Sequence, residues 1–181
     1  IKSKIAPFAL MTFYITMEQI SNGNLHIDEE IKISNYKDIQ LAYGFQPTPL
    51  STKNTMTIED LLFQVINNRE DAIMILSRIV SGSINNFVDT MKLYTQEIGM
   101  EDTHFAITNN LINNSLSYST VYDIAKLVIK IKYKFTKDTT HLLNINKYIS
   151  TDGVMQERDS GLYNICGVDG SYRNNNLGVI W

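Results

Sequence analysis

A single cysteine, Cys166, occurs among the 181 residues. One thiol closes no internal disulfide, and no Cys spacing suits a zinc site. Ile165 and Val168 beside it fit a small buried hydrophobe. Histidine is nearly as scarce, with His26, His104 and His141 the three present. None has a second histidine within a helical turn, so no HExxH pair exists, and a metal site needs three or four converging ligands. Asp102 close to His104 reads as turn chemistry. The sequence also lacks GxGxxG, a P-loop and G-x-S-x-G. No cofactor and no metal are expected. No run approaches the apolar length of a transmembrane helix. No leader is visible either, because Ile1-Lys2-Ser3-Lys4 is followed by neither an apolar run nor a small-residue cleavage site. The chain does not begin with Met, as expected of a processed or shortened product. An excess of positive charge is missing too. The formal net charge is -3, which gives no reason to expect a nucleic-acid partner or an anionic membrane surface. The short cluster Lys126, Lys130, Lys132, Lys134 and Lys137 reads as the solvated end of a helix and the loop beyond it.

What is present is ordinary globular material. Hydrophobic residues make up 44% of the chain, and the length suits one domain over 1–181. Pro7 to Ile20 reads as an amphipathic helix. Pro7 sits where a missing N–H costs nothing, and Phe8, Met11, Ile15 and Ile20 keep helical spacing. Ser21-Asn22-Gly23-Asn24 ends it. Leu25, Ile27, Ile31 and Ile33 alternate as in short extended segments, and 35–54 reads as loop. Thr57-Ile58-Glu59-Asp60 forms a capping box before a helix carrying Leu61, Leu62, Val65 and Ile66. A break at Asn67-Asn68 precedes a second helical run that ends at Ser81-Gly82. Ser83 caps a third, with Gly99 as its C-terminal residue. Another helix follows Ser119. From Leu142 onward helical period is absent, and strands and turns are expected. "GLYNICGVDG" reads as a strand between glycines. A helical body followed by strands makes the class α+β.

Three stretches carry a resemblance that the chemistry-bearing residues alone do not. They are "LMTFYITMEQISNGNLHIDEEIKIS", "TIEDLLFQVINNREDAIMILSRIVSGSINNFVDTMKLYTQEIGMEDTHFAITNNL" and "SYSTVYDIAKL". Together they resemble the serine-type D-alanyl-D-alanine carboxypeptidases, the low-molecular-mass penicillin-binding proteins. "GVDGSY" resembles the lead into that family's last motif. The matches run in family order from about Ala6 to about Asn176, and "IGMEDTHF" and "YSTVYDIAKL" are the most specific. The resemblance implies a helical region packed on an antiparallel sheet, the penicillin-binding-protein and β-lactamase-like transpeptidase fold. It also implies three motifs: S-x-x-K at a helix start, S-x-N, and K-T-G on a strand. In the first, the serine hydroxyl attacks a peptide carbonyl and the lysine, one turn along, takes its proton.

Those slots hold other residues here. Aligning Leu10-Met11-Thr12 with the family's apolar-Met-Thr puts Ala6 in the serine slot and Ala9 in the lysine slot. Asn68-Arg69-Glu70 falls in the S-x-N slot, so Asn68 stands for the serine and Glu70 for the amide. Tyr172-Arg173-Asn174 falls in the K-T-G slot. There Arg173 can still attract a carboxylate, while Asn174 has a side chain where a glycine lets backbone come close. Two literal matches lie out of place. Ser34-Asn35-Tyr36-Lys37 satisfies S-x-x-K in the extended segment, away from a helix start. Ser83-Ile84-Asn85 satisfies S-x-N but reads as an N-cap. Loss of the nucleophile or its base costs a hydrolase of this kind on the order of a million-fold in rate.

The resulting expectation is a carboxypeptidase-like domain of peptidoglycan metabolism without an intact active site. One alternative keeps the activity, with Ser34 or Ser119 as nucleophile. Another is a non-enzymatic peptidoglycan-binding or interaction module. By the resemblance, the partner is a stem peptide ending in D-Ala-D-Ala, and placement is periplasmic or in the cell envelope. The chain starts and stops near the first and last motifs. The sheet is therefore expected to be incomplete at both ends, with an open edge for a partner or a second copy.

Overall fold

The computed structural model describes residues 7–36, 38, 55–108, 111–112, 116–135, 142–143, 147–157, 171–174 and 177–180. Helix α1 spans Phe8–Ser21 and is the centre of the molecule. It was expected to be amphipathic, and it is not: every residue from Phe8 to Glu18 is buried. Four other helices and the loops between them cover all of its faces, so the polar face that a surface helix keeps has no place here. Helix α2 (Ile58–Ile66) and helix α3 (Glu70–Ser81) pack on α1 and on each other. Helix α4 (Ile84–Ile98) lies along α3, and helix α5 (Val121–Lys134) closes the bundle against α1 and α4. One apolar core runs through the set, from Phe8 and Leu10 through Phe63, Ile75 and Phe87 to Leu127 and Ile131.

The expected punctuation appears where the side chains dictate it. Thr57 accepts from the Asp60 N–H at 3.1 Å, and the Asp60 carboxylate accepts from the Thr57 N–H at 3.0 Å. The two bonds satisfy donors that a helix start otherwise leaves orphaned. Asn68 takes φ 59°, a left-handed value that a short polar side chain tolerates, and the chain reverses from α2 into α3 there. Gly82 and Gly99 end α3 and α4 at φ 75°. Ser83 accepts from the Asn86 N–H, as an N-cap should.

Among the described residues four antiparallel strand pairs accompany the helices: β1 (Glu30–Lys32) with β2 (Thr55–Thr57), β3 (Ile107–Thr108) with β4 (Leu111–Ile112), β5 (Lys147–Ile149) with β6 (Met155–Glu157), and β7 (Ser171–Asn174) with β8 (Leu177–Ile180). Helix and antiparallel strand together give the α+β class expected. Three local readings change. Ile33 is not extended but opens a 3₁₀ turn over Ile33–Tyr36 that includes Ser34. Leu25 and Ile27 lie in turns instead of a strand, because the Ile27 and Glu29 carbonyls are taken by the Glu59 and Ile58 N–H groups at the start of α2 (2.9 and 3.1 Å). In the tail, Leu142 and Leu143 are helical and fully buried, where strand or turn was expected. Most of the 35–54 loop, Lys37, Lys137, His141, and "GLYNICGVDG" from residue 161 with Cys166 lie outside the described residues.

Candidate functional site

The start of α1 is the place the resemblance singles out. Pro7 is its N-cap, with no side-chain cap bond, and no acidic residue stands in the first turn. Ala9 is 2% exposed and Phe8 is 4% exposed. The Phe8 ring meets Phe105 edge-on, with centroids 4.8 Å apart, and Phe105 is itself 2% exposed. A reactive serine–lysine pair needs polar surroundings and a route to solvent. This helix start has an aromatic pair and methyl groups instead. Further along, the hydroxyls of Thr12 and Thr16 are buried with no hydrogen-bond partner among the described residues. Ala6 lies outside the described residues.

The turn from α2 into α3 holds Asn68, Arg69 and Glu70. Arg69 turns its guanidinium onto Asp71, with bonds of 3.2 and 2.8 Å, and Asp71 also accepts from the Ala72 N–H at 3.0 Å. The charge there is spent on pinning the first turn of α3. Glu70 opens that helix at its N-terminus, where a carboxylate sits well against the helix dipole. Tyr172, Arg173 and Asn174 occupy successive positions of β7, opposite Val179, Gly178 and Leu177 of β8.

The lysines of α5 are held by partners of their own. Lys134 meets α1 at Glu18, at 2.5 Å, nine residues beyond Ala9 and so about 14 Å along the axis. Lys126 bonds the Gly99 carbonyl at the end of α4 and sits 3.3 Å from Asp123. Lys130 is 3.5 Å from Glu97. The cluster read as simply solvated is therefore also an anchor of α5 to α4 and α1. Near Glu18, burial pushes the Tyr14 phenol up, and the carboxylate pushes it the same way.

The serines weighed as substitutes are set differently. Ser119 is fully buried, its hydroxyl 2.8 Å from Thr103 Oγ1, and Thr103 in turn donates to Asp123 at 2.9 Å. This group ties the 102–103 turn to the start of α5. Ser34 is exposed on the 3₁₀ turn. His104 pairs through its backbone with Tyr118 and stacks on that ring at 5.5 Å. Phe105, His104, Val88 and Lys92 also line an open groove of about 410 Å³, where Lys92 pairs with Asp89 at 2.8 Å.

A dense polar cluster surrounds Asp60, and the capping box is the half of it that the sequence shows. Asp60 is 1% exposed and accepts from Tyr148 Oη at 2.8 Å, Thr151 Oγ1 at 2.7 Å and the Thr151 N–H at 3.1 Å, besides Thr57. Burial alone would raise its pKa. The bonds from the Thr151 side chain, the Thr57 backbone, Tyr148 and the Thr151 backbone outweigh it, so the carboxyl is held below its ordinary value. Gln64 reaches Gln156 beside it. The capping box was legible locally, but its partners stand some 90 positions later. No group of three or more metal-binding side chains exists among the described residues, and none of their helices is long and apolar enough to cross a membrane.

Residues 2–171 match the family model described as D-alanyl-D-alanine carboxypeptidase. The D-alanyl-D-alanine carboxypeptidase DacA of Haemophilus influenzae is 24% identical over 162 residues, covering 82% of this chain and 39% of its own length. DacF of Bacillus subtilis is 25% identical over 126 residues, covering 67% of this chain and 31% of its own. This chain thus spans less than half the length of these curated relatives. Among solved structures, penicillin-binding protein 6B from Escherichia coli superposes with a TM-score of 0.79 at 21% identity, over 98% of this chain and 57% of that one. At that identity the likeness is one of fold.

Proposed function

This chain belongs to the D-alanyl-D-alanine carboxypeptidase family, and on that premise we propose that it is a carboxypeptidase-like domain of peptidoglycan metabolism that no longer turns substrate over. The observation that carries the reading is the start of α1. Ala9, aligned with the catalytic lysine, is 2% exposed on a turn whose neighbouring Phe8 packs on Phe105. A methyl group takes no proton, and Ala6, aligned with the serine, offers no oxygen to attack a carbonyl. A single such loss costs on the order of a million-fold, and both groups are missing here. Glu70 in place of an amide and Asn174 in place of a glycine alter the other two motifs.

Binding is the part that can outlast the chemistry. A stem peptide ending in D-Ala-D-Ala presents a terminal carboxylate, and Arg173 on β7 is the basic residue aligned with the family's carboxylate-reading motif. Placement in the cell envelope goes with that role. The test is labelling of the purified protein with a fluorescent penicillin, alongside release of D-Ala from a dipeptide-ended substrate. The expected result is neither a covalent adduct nor free D-Ala. An adduct that disappears in Ser34→Ala or Ser119→Ala would overturn the proposal and restore an active enzyme with an unusual nucleophile.

A further inference from the structure

Among the described strands, Gly178 is the one glycine. A glycine inside a strand packs no side chain and weakens the pairing, so its presence there needs a reason. The usual reasons are a bulge, a sharp bend, or a ligand or second backbone that comes close. A bulge is excluded here. Ser171, Tyr172, Arg173 and Asn174 of β7 pair in turn with Ile180, Val179, Gly178 and Leu177 of β8, and no residue is skipped. The same register sets Gly178 directly across from Arg173. Residues so opposed place their Cβ atoms about 4.5–5.5 Å apart, and glycine has none. Across the pair from Arg173, β8 thus offers backbone alone. Alternation puts Ser171, Arg173, Gly178 and Ile180 on one face of the pair, and Tyr172, Asn174, Leu177 and Val179 on the other. Arg173 is the one charged residue of the two strands.

We infer that Gly178 is a specificity-determining position: it lets the last residue of a bound peptide lie flat on β8 while its terminal carboxylate meets Arg173. This deepens the reading of Arg173 as the residue that meets a peptide carboxylate, and it rests on that reading. A guanidinium takes a carboxylate best through two parallel N–H bonds in one plane. The residue that carries the carboxylate then has to follow it down onto the strand pair. A side chain at position 178 would stand between them, and glycine removes that obstacle. The gap is one side chain wide. Ile180, the next residue of β8 on the same face, closes it on one side. The slot therefore favours a small terminal residue such as alanine over a long or branched one. Asn174 does not close it, because it falls on the other face.

The test is titration calorimetry of the full chain with an N-acetylated tripeptide ending in D-Ala-D-Ala, and with the same tripeptide amidated at its carboxyl terminus. The free acid is expected to bind, and the amide to bind at least about tenfold more weakly. Arg173→Gln should weaken binding of the free acid at least about tenfold. Gly178→Val should weaken it by a similar factor, with the melting temperature unchanged or raised, since a β-branched residue favours a strand more than glycine does. Gly178→Ala should fall between Gly178→Val and the parent chain. No binding of the free acid overturns the Arg173 reading and this inference together. Binding that Arg173→Gln abolishes and Gly178→Val leaves intact overturns the inference alone. Binding that Arg173→Gln leaves intact shows that the carboxylate is met elsewhere and overturns both. A melting temperature lowered by Gly178→Val shows that the glycine serves the packing of the chain itself, and it overturns the inference as well.

Discussion

Helices α1 and α2 both begin in the interior, and they begin in opposite ways. Helix α2 starts at Thr57 with a complete capping box, and its Asp60 collects further bonds from Tyr148 and Thr151. Helix α1 starts at Pro7 with no side-chain cap, no acid in its first turn, and an aromatic contact from Phe8 to Phe105. A buried helix start leaves orphan N–H groups, and a fold built for stability alone would cap them. The α2 start follows that rule. The α1 start is explained better by ancestry: in the family's pattern that turn carries the nucleophile, so a substrate group, not a cap, is its natural partner. Here the contact of Phe8 with Phe105 holds the turn.

The largest way to break this contrast is to remove the aromatic seal. Phe105→Ala should cost about 4 kcal/mol, read as a fall in the urea midpoint, because a fully enclosed ring leaves a cavity. A loss under about 1 kcal/mol would mean that α1 does not depend on the contact. At the other helix start, Asp60→Ala should cost about 3 kcal/mol, since the buried Thr57 N–H and Tyr148 hydroxyl lose their acceptor and Thr151 loses its tie to α2. Loosening of the β5–β6 hairpin in hydrogen exchange should accompany it, because that hairpin meets α2 through these bonds. Ala9→Lys separates a sealed site from an open one. In a sealed site the ammonium is desolvated and the protein loses about 2 kcal/mol, with penicillin labelling still absent. Unchanged stability would show that room for the lysine persists.

Much of this architecture was legible in the sequence, and the reasons are local. Thr57 and Asp60, Ser83, Gly82 and Gly99 are cap residues whose partners lie within a few positions, so pattern alone places their helices. The family resemblance was equally legible, since "IGMEDTHF" and "YSTVYDIAKL" are continuous. What the sequence hid depends on distant neighbours. Helix α1 looks amphipathic by spacing, and only the packing of four other helices buries its second face. Ile33 alternates with Ile31 yet turns into 3₁₀ geometry, because backbone bonds to the start of α2 fix the chain just before it. The partners of Asp60 stand at Tyr148 and Thr151, and no periodicity links them to Thr57. At the candidate site the sequence offers Ala6 and Ala9 for the motif slots by alignment alone, whereas the Phe8–Phe105 contact comes only from the fold.

The smallest expected effect tests the charge state that separates the two helix starts. Asp60 is held below its ordinary value of 3.8: burial opposes ionisation, and the bonds from Thr151, Thr57 and Tyr148 overcome it. A group whose pKa is lower folded than unfolded binds its proton more weakly in the folded state. Its contribution is therefore complete above 3.8 and is lost as the pH falls through the folded value. The start of α1 has no titrating side chain in its first turn and should add nothing to that slope. Urea midpoints measured from neutral pH downward should thus fall less steeply below 3.8 in Asp60→Asn than in the parent chain, from a lower starting stability. An Asp60→Asn profile that runs parallel to the parent's through the acid range would show that the carboxylate gains nothing from its four donors. The α2 start would then be held by shape alone, as the α1 start is.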